Sequence, residues 1–167
     1  MRVFLVGFMG AGKTTAGRAL ARRTGSLFLD LDGRVEASLR MTVAQVFRER
    51  GEGRFRSEES RQLAACARFG SVVVGTGGGT FALPANRELI RRLGVSVFLD
   101  VPWGEIVRRL PGKRGERPLF DTPERAFELY SRRLPHYRAA DVTMRPEPGE
   151  DAEALAGRLA LALEAFS

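Results

Sequence analysis

Short apolar runs, most of them followed by a glycine or an aspartate, set the rhythm of this chain. They are Val3-Phe4-Leu5-Val6, Leu27-Phe28-Leu29, Val72-Val73-Val74, Val95-Ser96-Val97-Phe98-Leu99 and Asp141-Val142-Thr143-Met144. Near-continuous, β-branched runs of this length predict strands buried on both faces. The stretches between them read as helices. Ala16 to Arg23 is a good helix sequence, and so are residues 42–69, where Thr42 caps and Val43, Val46 and Phe47 make an apolar face. Gly51-Glu52-Gly53 interrupts that second helix. A short helix is expected over Trp103 to Leu110. Thr122-Pro123-Glu124 opens another, which carries Phe127 and Tyr130 inward and is kinked or ended by Pro135. Residues 151–166 close the chain as an amphipathic helix. Strands alternating with helices predict an α/β domain built on a five-stranded parallel sheet. Ligands of such sheets bind beyond the carboxyl ends of the strands, so the residues just after each run are the first candidates.

The first run leads into Gly7-Phe8-Met9-Gly10-Ala11-Gly12-Lys13-Thr14, with Thr15 behind it. This is the G-x-x-x-x-G-K-[ST] phosphate loop in its strand–loop–helix setting. Its glycines let backbone N–H groups close around a phosphate, and the helix start adds a positive dipole end. Lys13 can reach β- and γ-phosphates, and the Thr14 hydroxyl can ligate Mg²⁺.

The second run ends in Asp30-Leu31-Asp32. If extended, both carboxylates point the same way, one toward a metal and its waters and one toward a substrate hydroxyl. Asp32 is alternatively the cap of the helix that follows. Asp100, at the end of the fourth run, competes with Asp30 for the metal. Glu59 follows Arg56 at helical spacing and can hold its guanidinium in place to grip a carboxylate. Gly77-Gly78-Gly79 allows a close approach of backbone to ligand. The basic segment 110–121 is broken by Gly and Pro and contains Arg117-Pro118; it has the composition of a mobile lid that covers transferring phosphate. Tyr137-Arg138 follows the helix that Thr122 opens, and taken alone Arg138 is an ordinary surface cation.

Length and composition narrow the class. At 167 residues the chain is the size of one domain, spanning 1–167. No apolar run approaches the roughly 20 residues of a membrane helix, and the first run leads straight into the phosphate loop; a cytoplasmic protein is expected. A single cysteine, Cys66, excludes an internal disulfide and sits on an apolar face. His136 is the only histidine, and no Cys/His cluster could hold zinc. The net charge is +7, carried almost wholly by arginine, because lysine occurs only at Lys13 and Lys113. Scattered rather than blocked, that charge fits a small polyanion and an acidic substrate better than nucleic acid.

The ordered set of motifs resembles the shikimate kinases, small P-loop phosphotransferases of the nucleoside-monophosphate-kinase type. The matching pieces are Gly7 to Thr14, Asp30-Leu31-Asp32, Phe55-Arg56 with Glu59, Gly77-Gly78-Gly79, Arg117-Pro118-Leu119 and Tyr137-Arg138. The resemblance implies a three-layer α/β sandwich with a lid over about residues 110–121. It implies ATP as co-substrate, held by Gly10, Ala11, Gly12, Lys13, Thr14 and Thr15, and one Mg²⁺ on Thr14 with Asp30 acting through water. Asp32, Arg56, Gly78 and Arg138 would bind shikimate, and Arg117 would close onto ATP; Lys13, Asp32 and Arg117 would be the catalytic groups. The implied reaction phosphorylates the shikimate 3-hydroxyl, a step toward chorismate and the aromatic amino acids. A monomer with neither nucleic-acid nor membrane partners is expected. After Met144 the chain departs from the family's adenine-side loop, so no adenine contact carries over; Arg109 neighbours adenine by position only. A gluconate kinase and a nucleic-acid-binding P-loop module are the competing readings.

Overall fold

The computed structural model describes residues 1–109 and 122–166. All five apolar runs form strands: β1 (Arg2–Val6), β2 (Leu27–Asp30), β3 (Val72–Gly75), β4 (Val95–Leu99) and β5 (Val142–Met144). They make one parallel sheet in the order β2-β3-β1-β4-β5. Successive residues of β1 point to opposite faces, yet Val3, Phe4, Leu5 and Val6 are all buried. Both faces of the sheet are therefore covered, which makes the third layer. The covering helices are α1 (Lys13–Thr24), α2 (Leu31–Leu39), α3 (Val43–Ala64), α4 (Pro84–Leu93), α5 (Trp103–Arg109), α6 (Pro123–Tyr137) and α7 (Ala152–Leu163). Because β1 is central and the chain departs from it to β2 on one side and later to β4 on the other, the phosphate loop after β1 sits where the winding reverses. None of the described helices is long and apolar enough to cross a membrane.

Two apolar clusters form. The larger unites the sheet with α1, α4, α6 and α7 and includes Cys66, whose thiol burial pushes up. The smaller joins α2 to the first part of α3 through Val35, Val46 and Phe55, flanked by Leu39, Met41, Val43 and Phe47. Thr42 caps α3 through a reciprocal box with Gln45. Gly51, at φ 79°, breaks the helical path within α3, as the Gly51-Glu52-Gly53 interruption predicts.

Packing is close where α1 meets β2. A methyl group on Gly17 would lie 2.5 Å from the Phe28 ring and 3.1 Å from Leu5. Gly17→Ala gains up to about 1 kcal/mol of helix propensity, but overpacking costs about 1–3 kcal/mol. The expected outcome is a net loss of about 1 kcal/mol in urea unfolding, with the slope unchanged.

The structure corrects three local expectations. Asp30, not Asp32, caps α2, its carboxylate accepting from the Gly33 N–H at 3.1 Å. The chain thus turns helical at Leu31, and Asp32 stands in the first turn rather than on an extended segment. Phe127 is half exposed and packs on the rings of Trp103 and Tyr130 at the surface. Lastly, α6 continues through Pro135 to Tyr137, so the helix ends two residues beyond the proline; so near the terminus, proline removes one hydrogen bond without stopping the last turn.

Candidate active site

The loop from Gly7 to Gly12 is shaped by glycines at 7, 10 and 12, with φ of 145°, 79° and 86°. A side chain is strained in that region, so glycine is required for the loop to curl into the start of α1. The Lys13 ammonium donates to the carbonyl oxygens of Gly7 at 2.7 Å and Phe8 at 2.8 Å. It is thereby held over the loop's mouth, where the helix dipole also favours negative charge. Arg109 of α5 donates to the Gly10 carbonyl at 3.1 Å, so this cation rests on the loop backbone itself.

Beside the loop, the Thr14 hydroxyl donates to the Asp30 carboxylate at 3.1 Å. Two hard oxygen donors converging at a phosphate-binding loop suit Mg²⁺, which keeps several waters and takes few protein ligands. Asp100 is absent from the cavity lining, so the geometry favours Asp30 over Asp100 for the metal's outer shell.

The cavity beyond the strand ends has a volume of about 800 Å³, enough for a phosphate tail and a small organic molecule together. Gly10, Gly12, Lys13, Thr14 and Thr15 line one side, and Asp30, Asp32, Arg56, Glu59 and Gly77 to Gly79 line the other. Ala11 is buried within the loop and does not face the cavity. Two of the glycines after β3 leave room for functional side chains. A methyl on Gly79 would fall within 2.3–2.6 Å of the Arg56 guanidinium, and one on Gly77 would sit 2.6 Å from Asp32 Oδ1 and 2.7 Å from Glu59 Oε1.

Arg56 is held by two carboxylates. Its Nη1 donates to Glu59 at 2.9 Å, while Nε and Nη2 each reach Glu52 at 3.2 Å. Burial alone would weaken its charged form, but Glu59 and then Glu52 overcome that and raise it above the ordinary guanidinium value. A guanidinium has five N–H donors. These contacts leave one hydrogen on each terminal nitrogen, the pair that a carboxylate accepts side by side.

The second cation of the cavity is not the expected one. Arg138 caps the C-terminus of α6, is exposed, and does not line the cavity. With Arg145 it pulls the Tyr130 hydroxyl downward in pKa against burial and Asp100, which together raise it. Arg133 is buried and lines the cavity instead, with Nη1 3.3 Å from where a Gly78 methyl would be. Burial pushes Arg133 below its ordinary value, and neighbouring Arg56 adds to this, against the pull of Tyr137. Half-buried Arg56 and buried Arg133 thus line the same cavity. Tyr137, stacked on Phe98, donates its hydroxyl to the Gly78 carbonyl at 2.5 Å. Burial lifts that phenol to about 12, so it remains a donor throughout the neutral range. The signal for Arg133 is in the sequence: Ala126, Tyr130, Arg133 and Tyr137 recur at helical spacing on one stripe. The lid, with Arg117, lies outside the described residues.

Among known proteins, the shikimate kinase family model matches residues 9–164. A shikimate kinase of Rhodopseudomonas palustris is 41% identical over 145 residues, which is 85% of this chain and 71% of that relative. One from Phocaeicola vulgatus is 40% identical over 156 residues, covering 90% of this chain and 89% of its own. The solved shikimate kinase of Acinetobacter baumannii in complex with shikimate superposes with a TM-score of 0.92 at 32% identity, over 99% of this chain and 94% of that one.

Proposed function

Because this chain belongs to the shikimate kinase family, we propose that the cavity described above performs that family's reaction, with the phosphate loop on one side and a paired-arginine acid clamp on the other. The chain is an ATP-dependent phosphotransferase of the shikimate pathway. It transfers the γ-phosphoryl group of ATP to the shikimate 3-hydroxyl, giving shikimate 3-phosphate and ADP.

The observation that carries this division of labour is the pair of arginines, half-buried Arg56 and buried Arg133, in the same cavity as Lys13. Arg56 is compensated by Glu59 and Glu52, but burial and Arg56 both disfavour the charge on Arg133, and an anion between the two forks offsets that. A carboxylate on a small polyol supplies it, and the polyol's hydroxyls then fall to Asp32. Arg133 takes the place in this clamp that the sequence motif gave to Arg138. Gly78, steadied by Tyr137, offers its backbone beside them. Asp32 accepts the hydrogen bond of the reacting hydroxyl and takes its proton as the phosphoryl group arrives; the main catalytic effect is positioning and charge neutralisation.

On the nucleotide side, the amides of Gly10 to Thr15 hold the phosphates and Lys13 moves from the loop carbonyls to the β- and γ-oxygens. Thr14, with Asp30 behind it, would hold Mg²⁺, which would supply charge neutralisation for the transfer. Arg117 keeps the role its motif implies, a cation on the γ-phosphate, where such a group contributes about 10³–10⁵ in rate. We read the enzyme as a single-domain monomer acting in the cytoplasm, with neither nucleic acid nor membrane as partner.

An ADP-release assay with shikimate and gluconate side by side tests the reading. Turnover with shikimate alone is expected. Turnover with gluconate alone would mean that the clamp serves an open-chain acid and the reading is wrong.

A further inference from the structure

Behind the acid clamp lies a polar chain that the reaction itself does not use. Glu59 is wholly buried, and its two oxygens serve different partners. Oε2 accepts from Arg56 Nη1 at 2.9 Å, and Oε1 accepts from the Thr80 hydroxyl at 2.6 Å. The second distance falls in the range of a charge-assisted O–H···O⁻ bond. Thr80 is itself fully buried and is fixed from three directions. Its N–H donates to the Gly77 carbonyl at 3.2 Å, closing the glycine turn. Its carbonyl accepts from buried Asn86 at 3.2 Å, and Asn86 in turn accepts from Ser60 at 2.8 Å. Ser60 follows Glu59 on α3, so the chain of bonds runs from α3 through the glycine turn to α4 and back.

The surroundings leave Glu59 little latitude. Its Oε1 and Asp32 Oδ1 both crowd the Cα of Gly77, and each would stand within 2.7 Å of a methyl there. Without the Thr80 hydroxyl, a buried carboxylate oxygen would lose its donor, and such a group is costly to leave unsatisfied. Glu59 would then turn toward another donor, and Arg56 would follow it away from the position in which its two remaining hydrogens face the cavity.

We infer that Thr80 is a positioning residue for acid recognition: its hydroxyl fixes Glu59, and through Glu59 the aim of Arg56, without touching either substrate. The inference rests on Arg56 gripping the substrate carboxylate. Thr80 lies on the far side of Glu59 from that carboxylate, so its effect belongs to the acid's binding and not to phosphoryl transfer.

The test compares Thr80→Val, Thr80→Ser and Arg56→Lys in the full chain, with steady-state constants for both substrates and the melting temperature. Thr80→Val keeps the shape and removes the hydroxyl; it is expected to raise the shikimate KM about tenfold while kcat and the ATP KM stay within about twofold. Thr80→Ser keeps the hydroxyl and is expected to restore the shikimate KM. If Thr80→Val leaves that KM unchanged while Arg56→Lys raises it, the inference fails and the clamp stands. If neither variant moves it, the clamp reading fails and takes the inference with it. Equal losses in kcat and both KM values, with a lower melting temperature and no rescue by serine, would make Thr80 a structural residue only and overturn the inference. Should the valine variant fail to fold, Thr80→Ala reads the same constants against the same criteria.

Discussion

Lys13→Ala is expected to lower kcat by about 10²–10³-fold, the scale of losing one preorganised charge from a phosphoryl-transfer site. The side chain spans the loop, donating to the carbonyls of Gly7 and Phe8. It is therefore already anchored at the mouth of the loop before nucleotide arrives, and it need only exchange those carbonyls for phosphate oxygens. Alanine removes both the charge and the anchor, so part of the loss will appear as a weaker ATP KM. Lys13→Arg should not recover the rate, because a planar guanidinium is too broad to cross the curled loop and still reach the β- and γ-oxygens. Single-turnover measurement with saturating nucleotide separates the two contributions. An alanine variant within tenfold of the parent kcat would mean that the ammonium does not meet the transferring group.

The acid clamp gives the second large effect. Each hydrogen bond between charged partners is worth about 1.5–3 kcal/mol, so Arg133→Ala is expected to raise the shikimate KM by about 10–150-fold with a smaller change in kcat. Arg138→Ala, at an exposed helix end outside the cavity, is expected to leave both constants unchanged. The pair is decisive because the two arginines are five positions apart on one helix. A raised KM in the Arg138 variant and none in the Arg133 variant would reverse the assignment. Circular dichroism of both variants checks that α6 is intact, since Arg133 is buried within that helix.

These two residues also show where sequence reading stops. The strands were legible because both faces of the sheet are buried, which forces continuous apolar runs with no competing pattern. The phosphate loop was legible because its glycines answer to backbone geometry, which no neighbour can supply in their place. Asp30, Asp32, Arg56 and Gly78, which line one cavity, could be singled out because they follow strand ends or pair within one helical turn. Choosing among the arginines of 132–138 required the face of α6 that meets the sheet. The stripe Ala126, Tyr130, Arg133, Tyr137 turns inward, whereas Phe127 and Arg138 share the adjacent stripe and face solvent. The misplacement of Phe127 is thus one stripe of helical rotation, whereas Arg138 comes from the motif it shares with Tyr137 and lies outside the cavity. For Asp32, the reading assumed an extended segment. The cap formed by Asp30 started the helix one residue too early for that, yet the first turn still directs both carboxylates at the cavity. The bond from Thr80 to Glu59 joins residues 21 positions apart, a separation at which no local pattern operates.

Gly79 and Arg56 occupy touching volumes, with no space for even one methyl between them. Any side chain acquired at 79 would have to push the Arg56 guanidinium aside, against the two carboxylates that hold it. Sequence drift at this glycine should therefore surface first as a weaker grip on the acid, before it touches folding or the nucleotide.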